Sequence, residues 1–334
     1  MDPLTDIIAL LRPRTLLLGN LAATGEWGIR SPYQTDPTFY LVTEGECWFE
    51  PDYAEAVRLC AGDYLLAAQP SSVCFVSHPG AKLVLSDTEF KQRNTVNNEL
   101  RVGTLAEGPT TRIVGGLILC DPANADLLFG LLPRFTHIRA AEEVGERLGN
   151  LMRIIVDETN AARPARDMVL SRLIEVMLIE TLRRDGARRA LQPQGLLGGL
   201  ADPKLARALA HIHADVGRAW TVAELARSAG MSRSRFARRF TDIVGAAPVE
   251  YLLAWRMALA KDALLHSHKP LSQIAADVGY QSASAFSTAF SGKVGCAPTQ
   301  YQAQNLGVAI SSMPGEPPAG YAIDLRTRLA GSRD

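Results

Sequence analysis

Ten residues, Met231-Ser-Arg-Ser-Arg-Phe-Ala-Arg-Arg-Phe240, hold four arginines and no acid. Guanidinium groups at that density suit phosphate and guanine, which both accept paired N–H donors. Phe236 and Phe240 are four apart and share one face of a helix. Arg233, Ser234, Ala237 and Arg238 fall on the other side. A helix anchored by two aromatics and showing arginines outward has the makeup of a DNA recognition helix. Whether it is one depends on the elements that hold it.

Other chemistry is sparse. The histidines are 78, 137, 211, 213, 266 and 268. His211 and His213 are two apart in an expected helix and do not share a face. His266 and His268 mark a helix end, where cations are favoured. There is no GxSxG, no phosphate-cradling glycine loop and no HExxH. The expectation is no enzyme, no metal and no cofactor. The cysteines, 47, 60, 74, 120 and 296, are odd in number and lack CxxC spacing, which favours a reducing cytoplasm. A thiol-based redox sensor stays open beside the reading of these cysteines as small buried hydrophobes.

The chain has 334 residues, 47% hydrophobic and 21% charged, enough for two cored domains. Its net charge of zero hides an asymmetry: residues 201–303 hold 12 Lys and Arg against 7 Asp and Glu, and the remainder 23 against 28. A basic module joined to an acidic one suits DNA binding by one part only. No apolar run approaches the roughly 20 residues that span a bilayer, and the acidic start, Met1-Asp-Pro-Leu-Thr-Asp6, is unlike a signal peptide. No membrane partner is expected.

The arginine stretch sits within a repeat. Asp202-Pro203 opens a helix running to about Val216. Thr221-Val-Ala-Glu224 is a capping box, and its helix breaks at Gly230. Ser232 can cap the next helix, completing a helix-turn-helix. Leu225-Ala226, Gly230, Phe236 and Phe240 match Ile274-Ala275, Gly279, Phe286 and Phe290, with one extra residue in the second copy. Each copy ends alike, in Gly245-x-x-Pro248-x-x-Tyr251 and Gly295-x-x-Pro298-x-x-Tyr301. Between them lies a helical spacer, Pro248–His266, roughly 25–28 Å long, fit to place two helices in successive major grooves. Phe236, Phe240, Phe286, Phe290, Trp220 and Trp255 read as core. Arg256 and Lys261 on the spacer could meet phosphate or pair with Asp262 and Glu250.

Upstream the pattern changes. After a short amphipathic helix at 5–12 come closely spaced candidate strands to about Leu119, which suggest a sandwich or small barrel. Asp87–Pro109 reads as a long polar loop. Apolar helix-like segments follow at 127–132. Helical stripes cover Ala141–Thr159 and Arg166–Arg184, and an Arg-rich, glycine-rich linker covers 183–199. The tail from Gly307, rich in Pro and Gly, reads as poorly ordered.

Together these stretches resemble the AraC family of transcription regulators. The doubled helix-turn-helix carries the resemblance most specifically. Phe39-Tyr-Leu-Val-Thr-Glu-Gly-Glu-Cys-Trp48 and Val57-Arg-Leu-Cys-Ala-Gly-Asp-Tyr-Leu-Leu66, with the Gly62-Asp63 turn, resemble the family's cupin-type sensor domain. Metal-binding cupins place histidines on these strands; here Tyr40 stands instead, so no metal is expected.

The resemblance implies an α+β chain of two domains. An N-terminal cupin-like β-barrel with flanking helices, residues 1–185, would bind a small-molecule effector and supply a dimer interface. A linker, 186–200, leads to an all-α double helix-turn-helix at 201–303, and a tail follows at 304–334. By position, double-stranded DNA would meet Thr221, Ser232, Arg233, Ser234, Ala237 and Arg238 in the first copy. In the second it would meet Ala283, Ser284, Ser287 and Thr288. Thr288 stands where the family often has a long basic or polar side chain, so the second copy is expected to read shape or phosphates more than bases. Tyr40, Trp48 and Cys74 are the candidate effector pocket. The expected function is a cytoplasmic, homodimeric, sequence-specific DNA-binding transcription regulator, activator or repressor, with RNA polymerase as a further partner. A protein acting mainly through protein partners is the alternative.

Overall fold

The computed structural model describes residues 2–68, 71–96, 99–103, 110–120, 124, 134–161, 163–189 and 195–311. The expected apolar segments at 127–132 and the tail beyond 311 lie outside these residues. The described chain packs as two units. One holds residues 2–10, 124 and 195–311, and the other residues 11–120 and 134–189.

The strand-rich unit is a pair of facing sheets. The strands are β1 (Arg14–Thr24), β2 (Gly28–Arg30), β3 (Thr38–Glu44), β4 (Glu46–Phe49), β5 (Val57–Cys60), β6 (Tyr64–Ala67), β7 (Cys74–Val76), β8 (Val84–Leu85), β9 (Thr95–Val96), β10 (Glu99–Gly103), β11 (Thr110–Leu119) and β12 (Phe135–Ile138). They form sheets of order β12-β6-β3-β11-β1-β10-β9 and β5-β4-β7-β2-β8, antiparallel except for the β1–β10 and β2–β8 pairs. Both inner faces close on one apolar core, with Ile29, Tyr40, Val42, Phe49, Leu59, Leu65, Phe75 and Ile113 at its centre. Successive residues of a strand face opposite ways. β3 and β6 are nonetheless buried on both faces, because helices cover the outer side; the Tyr64 hydroxyl reaches Thr181 there.

The recognisable Gly62-Asp63 turn is built for packing. Gly62 has φ +89°, and a Cβ there would lie 2.7 Å from that of Ala140. Buried Asp63 accepts from Cys60 N (3.1 Å), His137 Nε2 (2.9 Å) and Ala140 N (2.9 Å). One carboxylate thus binds the β5–β6 turn to β12.

Among its described residues, Asp87–Pro109 is not a plain loop. Asp87 caps the helix Thr88–Asn94 by accepting from Phe90 N at 2.8 Å. Phe90, Leu100 and Val102 pack against the barrel core, so a few apolar side chains order a polar stretch.

The helices in chain order are α1 (Pro3–Leu11), α2 (Thr88–Asn94), α3 (Glu143–Asn160), α4 (Arg166–Arg189), α5 (Gly195–Ala201), α6 (Pro203–Ala214), α7 (Val222–Ser228), α8 (Arg233–Val244), α9 (Pro248–His266), α10 (Leu271–Asp277), α11 (Ala283–Val294) and α12 (Pro298–Ser311). In α4, Arg184 lies in the Arg-rich stretch read as linker, yet its side chain is buried. It donates to Glu142 from Nε (3.0 Å) and Nη2 (2.9 Å), and to the His137 carbonyl (2.9 Å).

Two boundaries differ from the sequence reading. The last part of the expected linker is α5, whose Leu197, Gly198 and Gly199 are buried; a Cβ on Gly199 would lie 2.8 Å from Val244 of α8. The start of the chain packs with the helical unit. Asp6 of α1 lies 3.1 Å from Nδ1 of His213 on α6, whose Nε2 lies 2.8 Å from the Tyr251 hydroxyl. The ring stacks on Trp255, 4.3 Å between centroids. A neutral imidazole with its proton on Nδ1 satisfies both partners. No single described helix is long and apolar enough to cross a membrane.

Burial pushes the His213 pKa below its ordinary value, and Asp6 pulls against it without reversing the shift. The unfolded chain then binds a proton that the folded chain does not. Stability from this group is complete above about pH 6.5, the unfolded histidine value, and is lost as pH falls below it. Thermal unfolding from pH 7.5 to 5.5 should show a steeper loss for the natural chain than for His213→Gln. In the strand-rich unit, Arg184→Ala removes the guanidinium that the Glu142 carboxylate and the His137 carbonyl share and should cost about 1–3 kcal/mol by denaturant titration.

Candidate DNA interface

The helical unit contains the repeat twice over, atom for atom in its turns. After α7, Gly230 N donates to Arg227 O (3.0 Å) and Met231 N to Ala226 O (2.9 Å). After α10, Gly279 N donates to Ala276 O (3.0 Å) and Tyr280 N to Ala275 O (2.8 Å). Both are Schellman closures, which need a residue at positive φ; the glycines sit at +63° and +83°. α8 and α11 end alike, at Gly245 and Gly295, in the left-handed region.

The aromatic anchors repeat as well. Phe236 and Phe240 lie 5.5 Å apart, and Phe240 meets Tyr251 edge-on at 5.9 Å. Phe286 and Phe290 lie 5.5 Å apart, and Phe290 meets Tyr301 edge-on at 5.6 Å. All four phenylalanines are fully buried. Trp255 joins them in the core, but Trp220 does not: it is half-buried, with the Arg218 guanidinium 4.2 Å from its ring centroid and its Nε1 donating to Asp215 O.

With one face of α8 so held, its arginines divide. Arg239 Nε donates to Asp202 Oδ2 at 2.7 Å. Asp202 also caps α6, accepting from Lys204 N (2.8 Å) and Leu205 N (3.2 Å). Burial would raise the Asp202 pKa, but these donors outweigh it and leave the carboxyl below its ordinary range. Arg239 therefore serves packing, a role that spacing alone did not reveal. Arg233, Ser234 and Arg238 are exposed and Ala237 is half-exposed. Among the described residues Arg238 has only a loose ion-pair neighbour, Asp242 at 3.7 Å, and its side chain is 87% exposed.

The remaining expected contacts sort by how committed they are. Thr221 is engaged: its hydroxyl lies 2.7 Å from Glu224 Oε2 and accepts from Glu224 N at 3.2 Å. Hydrogen bonds from the Thr221 backbone and hydroxyl, then from Arg218, hold Glu224 down to about 2. Ser232 occupies the N-cap position of α8 without a side-chain cap bond, whereas its counterpart Ser282 accepts from Ala285 N at 3.1 Å. On α11, Ser284 and Thr288 are exposed and Ala283 and Ser287 half-exposed; the Thr288 hydroxyl donates back to Ser284 O. The first copy offers the exposed guanidinium groups of Arg233, Arg235 and Arg238 where the second offers small hydroxyls.

The effector-pocket candidates do not meet in one place. Tyr40 lies in the barrel core, edge-on to Phe75 at 4.8 Å, and burial pushes its phenol up to about 12. Trp48 lies between Cys47 and Phe49, which both join the core, so it faces the other side of β4. Cys74 likewise precedes core-facing Phe75 and lies beside Arg30. Alternation, applied to β4 and β7, would have shown this. Burial pushes the Cys47 thiol up to about 12 and raises Cys74 as well, so neither is a ready thiolate. Among the described residues no group of three or more His, Cys, Asp and Glu could hold a metal ion.

A cupin-type barrel followed by a doubled helix-turn-helix is the construction of a DNA-binding transcription regulator. The family description "Cupin" matches residues 2–185 and "Helix-turn-helix domain" residues 225–304. An AraC-like transcription regulator of Streptomyces lividans is 34% identical over 303 residues, 90% of this chain and 98% of that one. The regulator AlkR of Acinetobacter baylyi is 30% identical over 291 residues, 84% of this chain and 92% of that one. Among solved structures, the DNA-binding domain of AdpA with a target DNA is 29% identical, covering 31% of this chain and 93% of that one at a TM-score of 0.30. ToxT of Vibrio cholerae is 11% identical, covering 87% and 97% at 0.32. The chain belongs to the AraC family of transcription regulators.

Asp202→Ala removes a helix cap and the partner of Arg239 together. It should lower stability by about 1–2 kcal/mol, with the cap the larger part. Asp202→Asn, which still caps, should recover most of the loss in denaturant titration.

Proposed function

We propose that this regulator reads its operator with two unequal helices and responds to a small, largely apolar effector in the barrel. The observation that carries the first part is the contrast between two copies of one scaffold. α8 shows Arg233 and Arg238 to solvent, while α11 shows Ser284 and Thr288 at the matching turn. A bidentate Arg–guanine pair is the commonest specific contact in the major groove. Small hydroxyls reach phosphates or either base edge and discriminate less. The first copy then sets most of the sequence preference, and the second adds affinity and shape readout.

The apolar lining of the barrel core, with the Tyr40 hydroxyl among it, supports an effector with little charge. The high thiol pKa of Cys47 and Cys74 favours such an effector over an oxidant. No catalytic arrangement enters this account, and the protein acts as a regulator in the cytoplasm, where its DNA lies. Exposed Ile154, Met168, Val169 and Val176 on α3 and α4 support a homodimer through that face. RNA polymerase is the partner an activator would need.

The test is titration of DNA selected from a random pool by the full chain. Arg238→Ala should weaken specific binding by about 1–3 kcal/mol and relax preference at one base pair, leaving non-specific DNA little affected. Thr288→Ala should cost less and change no single-base preference. Equal losses on specific and non-specific DNA for Arg238→Ala would remove it from base readout.

A further inference from the structure

Arg256 lies midway along α9, the helix that joins the two copies. It makes no pair with Glu250, whose carboxylate accepts from Ala247 N at the start of α9. It points into the backbone between the copies. Nε donates to Val216 O at 3.0 Å, and Nη2 to Arg218 O at 2.8 Å and Gly217 O at 3.4 Å. Residues 216–218 lie in the loop that leads into α7, the first helix of the first copy. The same guanidinium carbon lies 5.9 Å from the ring centroid of Tyr280, in the turn of the second copy.

The two copies meet at this point. Gly279, the turn glycine of the second copy, is so close to the loop of the first that a Cβ would fall 2.3 Å from Gly217 O and 2.6 Å from Arg256 Nη2. From the other side, a Cβ on Gly217 would lie 3.5 Å from Asp277 O at the end of α10. Three carbonyls of one copy, the turn of the other and the spacer helix are therefore gathered on one planar donor. A guanidinium offers five N–H groups in a fixed fork, whereas an ammonium is a point charge that cannot span such a set with the same geometry.

We propose that Arg256 is the positioning residue that locks α8 and α11 at one separation, so that the operator must present its two boxes at one fixed spacing. The proposal rests on α8 and α11 being the reading helices. One inserted base pair moves the second box about 3.4 Å along the duplex and turns it by roughly 35°. A locked pair cannot follow that movement; a hinged pair can.

The experiment uses the full chain and three duplexes: the selected operator, the same operator with one base pair inserted between the boxes, and one with the second box scrambled. The natural protein should lose about tenfold or more in affinity on insertion, the size of one or more mismatched pairs. Arg256→Ala should bind the selected operator about tenfold more weakly and discriminate the inserted duplex by no more than about threefold. Its affinity for the duplex with a scrambled second box should match that of the natural protein, and Arg256→Lys should fall between. Gly279→Ala, which drives a methyl into the same junction, should relax spacing in the same way and serves if Arg256→Ala does not fold. The salt dependence of binding should not change, because Arg256 touches backbone and not phosphate; a slope reduced by about one would make it a phosphate contact instead and overturn the proposal. Undiminished spacing discrimination in Arg256→Ala and Gly279→Ala would also overturn it. If the natural protein ignores the second box altogether, the assignment of the reading helices fails, separately from the lock.

Discussion

A helix can present arginines to a groove only if its opposite face is held, and in this chain that constraint is met by paired phenylalanines. Phe236 and Phe240 sink one side of α8 into the first copy, and Tyr251 closes over them from α9. Phe286, Phe290 and Tyr301 do the same for α11. Each ring buries far more apolar surface than a surface ion pair could offset. Losing one such side chain typically costs about 3–5 kcal/mol, against 0–1 for an exposed pair. On the proposed function, the charged residues of α8 choose the DNA and the aromatic ones aim them.

On this scaffold the two copies have diverged in what they show and converged in how they fold. The Schellman turns at Gly230 and Gly279 and the left-handed ends at Gly245 and Gly295 coincide, so the difference between Arg238 and Thr288 is one of chemistry and not of backbone. On the proposed function, exposed arginines on one helix and hydroxyls on the other give one head that discriminates and one that steadies. Such a pair works as a single reader only if the heads keep their distance, which gives the polar junction at Arg256 its place in the account.

Much of this was legible in the chain because it is written in spacing. Phenylalanines four apart, turn glycines and repeated tails fix a helix-turn-helix whatever surrounds it, and the Gly62-Asp63 turn pointed to the barrel. What spacing does not record is which polar group meets which across long separations. Nothing in the spacing of α8 ties Arg239 to Asp202, 37 residues earlier. Arg184 sits in an Arg-rich stretch read as linker, yet Glu142 and the His137 carbonyl enclose it. Asp6 and His213 lie 207 residues apart, and nothing local joins them. Phe90, Leu100 and Val102 order a stretch too polar to read as structured. Trp48 and Cys74 were misplaced for a simpler reason: they lie one residue out of phase with the core-facing Phe49 and Phe75.

The central claim is an unequal reader, with base recognition concentrated in α8. Methylation protection of guanine N7 on the selected operator bound by the full chain tests it most directly. The account predicts two patches on one face of the duplex about one helical turn apart, with guanine N7 protected strongly in the box under α8 and weakly or not at all in the other. Equal guanine protection in both boxes, or protection confined to the box under α11, would contradict it.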